Sequence, residues 1–310
     1  MQPSRLISSL STRNVASVSY RTGLIAIVGR PNVGKSTLLN RLVGQKISIT
    51  SRKPQTTRYR ITGVLTDDDA QYIFLDTPGF QIQHNTALNR ATNRCVVQSV
   101  HGIDAALFVI DTLQFDQRER EVFNLLSEYP KVLVINKIDK LADKTQLLPF
   151  IEKVSKEHRF AAIVPVSAKK NLQLKELLHA LRKFLPEGPP VYQADEITDC
   201  SERFLAAEQI REKVFRLLGD EVPYAVSVMI DDYVLKRGLR RIQASIIVDK
   251  PGQRAIVIGA KGEKLKAIAT WAREDMEKLF GGKVFLKVWV KVKKGWADDT
   301  LTLKKLGYEW

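Results

Sequence analysis

The sequence predicts a two-domain protein, with a doubly wound α/β domain followed by a smaller α+β domain. Three observations support this prediction. Between residues 22 and 185, apolar runs alternate with amphipathic stretches, which is the pattern of strands and helices in a doubly wound sheet. Residues 186–190 are PEGPP, and proline and glycine at this density cannot continue a helix. Beyond them the predicted order changes to helix, strand, strand, helix, helix, strand.

The predicted elements follow in chain order. Strands of the first domain are expected at 24–28, 60–65, 72–76, 105–111, 132–136 and 162–166, and helices at 36–43, 85–100, 116–129, 147–158 and 172–184. The second domain is expected to have a helix at 202–218 and strands at 225–235, 240–249 and 284–292. The corresponding boundaries are a disordered basic head at 1–21, the first domain at 22–186, a linker at 187–200, the second domain at 201–294 and a tail at 295–310.

Composition narrows the class of protein. The chain has 310 residues, and its 44% hydrophobic and 27% charged fractions exclude wholesale disorder. No run of 18 apolar residues occurs, which excludes a spanning helix. Cys95 and Cys200 are too few for a disulfide scaffold or a thiolate zinc site, and they indicate a reducing compartment. The net charge of +15 favours an anionic partner over a role in solubility alone.

Residues 29–36, GRPNVGKS, match the phosphate-binding pattern G-x-x-x-x-G-K-[ST] between a predicted strand and a predicted helix. Backbone N–H groups of such a loop surround phosphates, and the helix N-terminus adds its positive dipole end. Lys35 is expected to contact the β- and γ-phosphates, and the Ser36 hydroxyl to ligate Mg²⁺. The predicted nucleotide-binding residues of this loop are Gly29, Arg30, Pro31, Asn32, Val33, Gly34, Lys35, Ser36 and Thr37.

Residues 136–139, NKID, lie at the end of a predicted strand, where ligands bind in open α/β sheets. The Asp139 carboxylate can accept hydrogen bonds from both ring-edge donors of guanine, whereas adenine offers no matching donor pair. The SAK sequence after the next strand is expected to support the base with a main-chain N–H. We therefore predict guanine-nucleotide contacts from Asn136, Lys137, Ile138, Asp139, Ser167, Ala168 and Lys169.

Residues 76–80, DTPGF, follow the third predicted strand and are expected to respond to the γ-phosphate. Asp76 is placed to hold Mg²⁺ through water, and the Gly79 N–H to contact the phosphate. Thr57 is preferred over its neighbour Thr56 as a further Mg²⁺ ligand. The sequence thus predicts nucleotide contacts from Asp76, Thr77, Pro78, Gly79 and Phe80, a Mg²⁺ site at Ser36, Thr57 and Asp76, and catalytic roles for Lys35, Thr57 and Gly79.

The second domain contains a G-x-x-G loop, residues 259–262, between an apolar strand-like segment and a predicted helix. A loop without bulky side chains permits close approach of a nucleic-acid backbone. A purely structural loop is the alternative, because two glycines in a loop are commonplace. We predict RNA binding by Ile258, Gly259, Ala260, Lys261, Gly262, Lys264 and Lys266.

The last predicted strand alternates apolar and basic positions. One face carries Val284, Leu286, Val288, Val290 and Val292, and the other carries Lys283, Phe285, Lys287, Trp289, Lys291 and Lys293. The lysines either guard an edge against aggregation or, with the aromatic residues, engage nucleic acid. We expect Phe285 and Trp289 to pack on the helices or the tail. The turn at 236–241 is a further basic candidate.

The ordered motifs GRPNVGKS, PQTTR, DTPGF, NKID and SAK resemble the bacterial GTPases related to translation factors. The element order around the G-x-x-G loop resembles the type II KH domain, and together they are similar to the Era family over about residues 22–310. This resemblance implies GTP/GDP and Mg²⁺ as cofactors, and GTP hydrolysis. Phe80 stands where other GTPases carry a catalytic glutamine, so backbone and ions are expected to position the water. Asn32 matches the asparagine with which relatives hold K⁺, a catalytic role to which packing is the alternative.

The resemblance also implies a partner and a location. The expected partners are the 3′ end of the small-subunit rRNA and the small ribosomal subunit, whose assembly and maturation a cytoplasmic monomer assists. Weak peripheral contact with the inner membrane is implied as well. Two alternatives are an RNA-binding chaperone in which GTP only orders the domains, and a peripheral-membrane GTPase that couples growth to division. The basic, serine-rich head leaves a mitochondrial location as a minor alternative.

Overall fold

A computed structural model describes residues 19–51, 53, 56–79, 86–126, 128–218 and 226–308. The first domain consists of β1 (Arg21–Val28), α1 (Lys35–Val43), β2 (Ile61–Thr66), β3 (Ala70–Asp76), α2 (Ala87–Ser99), β4 (Ala105–Asp111), α3 (Gln117–Asn124), β5 (Lys131–Asn136), α4 (Leu147–Glu157), β6 (Ala162–Pro165) and α5 (Leu174–Arg182). The second domain consists of α6 (Glu202–Leu217), β7 (Val226–Lys236), β8 (Leu239–Val248), α7 (Pro251–Ile258), α8 (Glu263–Phe280) and β9 (Lys283–Val292), and α9 (Thr300–Lys305) lies in the tail. Within these described ranges, no helix is both long and apolar enough to cross a bilayer.

The first-domain sheet has the strand order β2-β3-β1-β4-β5-β6, with only β2 antiparallel to its neighbour. The middle of each central strand is apolar because helices cover both faces of the sheet. The period of two sends alternate residues to opposite layers: Ile25 and Phe74 lie in one core cluster, Ala26 and Phe108 in the other. The predicted doubly wound sheet is confirmed.

Helix α3 is shorter than the predicted 116–129. Asp116 and Glu119 form a capping box that fixes its start. Pro130 disfavours helical backbone at Tyr129, so the chain leaves the helix before it enters β5.

The proline- and glycine-rich segment between the domains is held along the first-domain sheet. The Thr22 amide donates to the Pro186 carbonyl (3.0 Å) and the Val64 amide to the Ile197 carbonyl (2.8 Å). Between these points, the buried Gln71 side chain accepts from the Val191 amide at 2.7 Å. The connection therefore follows the sheet as far as Ile197 and joins the second domain from a fixed position.

The second domain has a three-stranded sheet in the order β7-β8-β9, with β7 antiparallel and β9 parallel to β8. Arg237 and Gly238 both have positive φ, which fits the type I′ turn of a tight hairpin. Helices α6 and α8 pack on one face of the sheet, where Val214, Ile246 and Ile268 belong to a shared apolar core.

The apolar segment before Gly259 is helical, as the predicted order of elements requires, and only its description as strand-like is wrong. Pro251 stands at the first turn of α7, where its fixed φ favours helix initiation. The Gln253 side chain accepts from the main-chain amides of Asp249 (2.9 Å) and Lys250 (3.0 Å), which completes the first turn. These local bonds decide the structure of an apolar run too short for periodicity to classify.

Phe285 and Trp289 do not pack on the helices or the tail, so that expectation is also wrong. Their side chains are 54% and 37% exposed. Val284, on the face of β9 that packs against the helices, is buried. The reason is that the helices cover only the Val284 face of β9, and the tail returns over a different part of the sheet, near Ile247.

The C-terminal tail joins the two domains. Trp296 is fully buried in a cluster with Leu88 of α2 and Ile247 of β8. The Tyr308 ring stacks on the Tyr59 ring at 4.7 Å. The tail is therefore part of the contact between the domains.

Candidate functional site

The loop between β1 and α1 requires both of its glycines. Gly29 has φ 155° and Gly34 has φ 103°, values that other residues rarely adopt. A Cβ at Gly29 would lie 2.2 Å from the carbonyl oxygen of Val109, and one at Gly34 would lie 2.3 Å from the side-chain nitrogen of Asn136. The loop thus passes too close to β4 and β5 for any side chain at these positions.

Lys35 is the buried cation of this loop. Its ammonium group donates to the carbonyl oxygens of Gly29 (2.8 Å) and Arg30 (2.9 Å). Burial lowers the pKa of Lys35 to about 8, although the Asp76 carboxylate acts in the opposite direction. A nearby phosphate would stabilise the charged form further. The site therefore contains a desolvated cation that an anionic ligand would bring to full charge.

Two hydroxyl groups and a carboxylate converge beside the loop. The Ser36 hydroxyl lies 2.7 Å from Oδ2 of Asp76 and 2.8 Å from the hydroxyl of Thr57. Asp76 is fully buried, burial raises the pKa of its carboxyl group, and its Oδ1 has no hydrogen-bond partner among the described residues. Oxygen donors of this kind suit Mg²⁺, so the predicted magnesium residues fit that ion.

The geometry also separates the two neighbouring threonines. The Thr56 hydroxyl donates to the main-chain oxygen of Lys53 at 2.8 Å, whereas the Thr57 hydroxyl faces Ser36. Ser48, which the motifs did not indicate, donates to Asp76 at 2.9 Å. The Ser48 hydroxyl thus helps to orient the Asp76 carboxylate, and no sequence pattern indicates Ser48.

The NKID turn is fastened to the phosphate-binding loop. The Asn136 side chain donates to the Val33 carbonyl (2.8 Å) and accepts from the Ala168 amide (3.1 Å). The Ser167 hydroxyl donates to the exposed carboxylate of Asp139 at 2.5 Å. The base-recognition residues and the phosphate-binding residues therefore form one connected unit.

Lys137 has a partner that the motifs did not indicate. Its ammonium group pairs with the Asp111 carboxylate at 2.5 Å and donates to the Asn32 carbonyl at 2.6 Å. Asp111 is the last residue of β4. Its position at the carboxyl end of a strand could have indicated that it belongs to the site.

Gly79 lies against the phosphate-binding loop. A Cβ there would lie 2.9 Å from the backbone nitrogen of Pro31, so only glycine allows this approach. The Thr77 hydroxyl donates to the Ile27 carbonyl at 2.8 Å, which fixes the turn to β1. Phe80 lies outside the described residues.

These elements enclose a cavity of about 670 Å³. The predicted residues that line it are Pro31, Asn32, Gly34, Lys35, Ser36, Thr37, Thr57, Gly79, Asn136, Lys137, Asp139, Ala168 and Lys169. Others are buried behind its wall, namely Gly29, Val33, Asp76, Thr77, Pro78, Ile138 and Ser167. Arg30 pairs with Glu119 at 2.8 Å. The cavity wall also includes Ile49 and Thr50, which the motifs missed.

The G-x-x-G loop projects between α7 and α8. Gly259 (φ 73°), Lys261 (φ 49°) and Gly262 (φ 81°) all have positive φ. A Cβ at Gly259 would lie 2.8 Å from Cγ of Lys264, whereas one at Gly262 would enter open space. Positive φ therefore favours glycine at both positions, and Ala260 and the lysines around them are exposed.

The loop between α1 and β2 (residues 44–60, hereafter the α1–β2 loop) contacts helix α6. The fully buried Glu212 accepts from the main-chain amide of Thr50 at 3.0 Å. The buried Arg211 guanidinium donates to the carbonyl oxygen of Thr56 at 2.6 Å. The residue next to Thr57 is therefore held by the second domain. Charged helix residues are ordinarily solvent-exposed, so this contact could not be predicted from the sequence.

Two family models match the chain. Residues 24–137 match the family described as 50S ribosome-binding GTPase, and residues 221–297 match the KH domain family. With the cavity and the G-x-x-G loop, these matches define a P-loop GTPase that carries a C-terminal KH domain.

Full-length relatives identify the family more closely. GTPase Era of Nitrosomonas eutropha is 58% identical over 291 residues, which cover 94% of this chain and 98% of that protein. GTPase Era of Chromobacterium violaceum is 54% identical with the same coverage. The chain belongs to the Era family of GTPases, so the family predicted from the motifs is confirmed.

Two solved structures share the fold. One is a variant of Aquifex aeolicus Era bound to GDP and AlF₄⁻, and the other is Era in complex with MgGDPNP and nucleotides 1506–1542 of 16S ribosomal RNA. Each is 40% identical to this chain with a TM-score of 0.91, and each match covers 94% of this chain and all of the other. The predicted arrangement of a GTPase domain followed by a KH domain is thus confirmed.

Proposed function

We propose that this protein is a GTP-hydrolysing switch that binds the 3′ end of small-subunit rRNA and assists small-subunit assembly and maturation. The observation that carries the proposal is that one chain with the fold of Era contains both the nucleotide cavity and the G-x-x-G loop of a KH domain. A complex of Era with both MgGDPNP and a 16S rRNA fragment is known. The description of the matched GTPase family names the 50S ribosomal subunit. The 16S fragment in the full-length relative favours the small subunit instead.

The phosphates of GTP would lie along the β1–α1 loop. The Lys35 ammonium would turn from its present carbonyl partners to the β- and γ-phosphates, and backbone N–H groups would supply further donors. The hydroxyls of Ser36 and Thr57, together with Asp76, would hold Mg²⁺. When bound, Mg²⁺ neutralises charge on the phosphate oxygens. The Gly79 amide, close to Pro31, would contact the γ-phosphate.

Guanine would lie at the NKID end of the cavity. The Asp139 carboxylate can accept two hydrogen bonds from the base, and the Ser167 hydroxyl holds that carboxylate in place. Asn136 fixes the distance between base and phosphate subsites, because it is bonded to the loops that form both.

Hydrolysis would proceed without a side-chain amide to orient the water. Among the described residues that line the cavity there is no glutamine or glutamate. Asn32 lines the cavity and is exposed with φ 65°, which disfavours the packing alternative, and it matches the asparagine with which relatives hold K⁺. We therefore expect faster turnover in potassium than in sodium. Equal rates in both salts, with Asn32→Ala kinetically silent, would count against a role for K⁺.

RNA would be held by the G-x-x-G loop, with Lys261, Lys264 and Lys266 close to the phosphates. The test is binding of the 16S rRNA 3′ fragment by the double variant Gly259→Ala/Gly262→Ala, with GTP affinity measured in parallel. Gly281→Ala is the matched control, because Gly281 also has positive φ (65°) and open space around it but lies at the far end of α8.

We expect the double variant to lose RNA affinity and keep GTP affinity, and the control to keep both. A folded double variant that binds RNA normally would show that the G-x-x-G loop is not the RNA-binding site. GTP turnover that is unaffected by small subunits would favour the chaperone alternative, in which GTP only orders the domains.

Location and assembly state belong to the same proposal. We place the protein in the cytoplasm as a monomer, with weak peripheral contact with the inner membrane through its basic surface. The +15 net charge supports that contact and RNA binding equally. Fractionation of cell extracts and light scattering of the purified chain would test the location and the monomer state.

A further inference from the structure

The outward face of strand β9 carries aromatic rings that the fold leaves exposed. Phe285 is 54% exposed and Trp289 is 37% exposed. Lys287 stands between them on the same face, and its ammonium nitrogen lies 5.0 Å from the centre of the Trp289 ring. Along this edge strand, rings and cations therefore alternate toward solvent.

Strand β8 extends this surface. The parallel register places Arg241 beside Phe285 and Gln243 beside Lys287, and both β8 side chains are exposed. We call the five residues Arg241, Gln243, Phe285, Lys287 and Trp289 the outer face. It offers two rings, two cations and one amide within two adjacent strands.

Protection against edge-to-edge aggregation explains only part of the outer face. Lysines on an edge strand serve that purpose, but exposed aromatic rings on the same strand favour aggregation. Two large rings at Phe285 and Trp289 therefore require another explanation.

The charge of the sheet is asymmetric. Asp231 on the far strand β7 pairs with Lys291 at 3.2 Å and also accepts from the Ser245 hydroxyl. Lys287 makes no ion pair with any carboxylate among the described residues. The Asp231 carboxylate is thus already paired, and the cation next to the rings is available to an anion.

We propose that the outer face is a second contact surface for single-stranded RNA, continuous with the G-x-x-G loop. Bases would stack on Trp289 and Phe285, while Lys287 and Arg241 would contact phosphates. The rings are four positions apart, about 13 Å along the strand, so each ring would hold a different base. Helix α7, which leads into the G-x-x-G loop, packs against β9 from the other side. An RNA strand that leaves the loop therefore reaches the outer face by crossing one edge strand.

This inference rests on the proposed RNA-binding function and adds a surface to it. The test is the double variant Phe285→Thr/Trp289→Thr, because threonine keeps a high strand propensity without a ring. Leu235→Thr is the matched control, since Leu235 is 57% exposed in the same sheet but lies on the opposite edge strand. Phe285→Tyr/Trp289→Tyr keeps the rings and guards against a loss of folding. The probe is RNA of nucleotides 1506–1542 of 16S rRNA, titrated over a salt series.

We expect the threonine variant to bind this RNA at least about tenfold more weakly, as loss of base stacking predicts, with unchanged GTP affinity. The tyrosine variant and Leu235→Thr should bind as the wild type does. Lys287→Gln should lower the salt slope by about 0.7, the value for one phosphate contact with a single strand.

Three outcomes would overturn the inference. Normal RNA binding by the threonine variant, with binding lost in Gly259→Ala/Gly262→Ala, refutes the outer face alone and leaves the proposed function intact. A wild-type protein that binds no RNA refutes both. Loss of binding to vesicles of anionic phospholipid, with RNA affinity unchanged, assigns the rings to a membrane surface instead.

Discussion

Replacing Arg211 by methionine tests whether the second domain holds the α1–β2 loop. The Arg211 guanidinium is 1% exposed and donates to both carboxylate oxygens of Glu208, at 2.7 and 2.5 Å, and to the Thr56 carbonyl at 2.6 Å. Burial would lower the pKa of Arg211, but the Glu208 carboxylate more than offsets that and raises it. The charge is therefore stabilised by its partners.

Methionine preserves much of the side-chain volume but leaves the Glu208 carboxylate buried without a counter-charge. Breaking a buried pair in this way costs about 3–5 kcal/mol. The matched control is Arg273→Met, which breaks a 2.8 Å pair with Glu277 in which the arginine side chain is 36% exposed. An exposed ion pair contributes about 0–1 kcal/mol to the free energy of unfolding. Arg211→Met should therefore lower the free energy of unfolding several times more than Arg273→Met does.

The assay is urea unfolding followed by tryptophan fluorescence. All four tryptophans follow residue 270, so the signal reports the second domain and tail. Adding Glu208→Gln to Arg211→Met should recover part of the lost stability, because it removes the unpaired charge. Affinity for the magnesium complex of GTP should fall in Arg211→Met, since Thr56 adjoins Thr57. Equal costs for Arg211→Met and Arg273→Met would refute the reasoning.

Three further predictions follow from the site and the domain contact. Asp139→Asn should shift preference from guanine to xanthine nucleotides, because an amide reverses the polarity of one hydrogen bond; competition binding that still favours GTP as in the wild type would show the base assignment to be wrong. Thr57→Val should raise the Mg²⁺ concentration needed for half-maximal hydrolysis about tenfold, or about 1.4 kcal/mol, while Thr56→Val should have little effect; the reverse order would move the ligand to Thr56. Burial would raise the pKa of Asp275, but hydrogen bonds from Lys213 and Lys46 lower it to about 2, so its contribution to stability is full above about pH 4 and is lost as pH falls toward 2. Acid unfolding of Asp275→Asn should lack that component, and an unchanged acid transition would exclude it.

The sequence determined the elements whose causes are local. Alternating apolar runs predicted every strand of the first sheet, because each strand must fill two apolar layers. Glycines at 29 and 34 predicted a phosphate-binding loop, and the structure adds that this loop lies too close to its neighbours for side chains at these positions. The nucleotide motifs each lie within a few consecutive residues at a strand end, so their spacing alone brought them to one edge of the sheet.

Tertiary structure decided whatever depends on a distant partner. The exposure of Phe285 and Trp289 could not be predicted from alternation, since both faces of a strand show the same period and only the placement of the helices and tail selects the covered one. The segment before Gly259 was too short and apolar to classify, and the bonds of Gln253 made it a helix.

The contact between the domains could not be predicted from the sequence, because it too depends on distant partners. Charged residues at 211 and 212 are typical of a solvated helix face, and nothing within a turn of them indicates burial. Their partners, Thr56 and Thr50, lie more than 150 positions earlier in the chain. Local chemistry thus determined what each domain can bind. The packing of one domain on the other decided which residues connect the nucleotide cavity to the KH domain, because a buried charge is tolerated only where the folded chain supplies its partner.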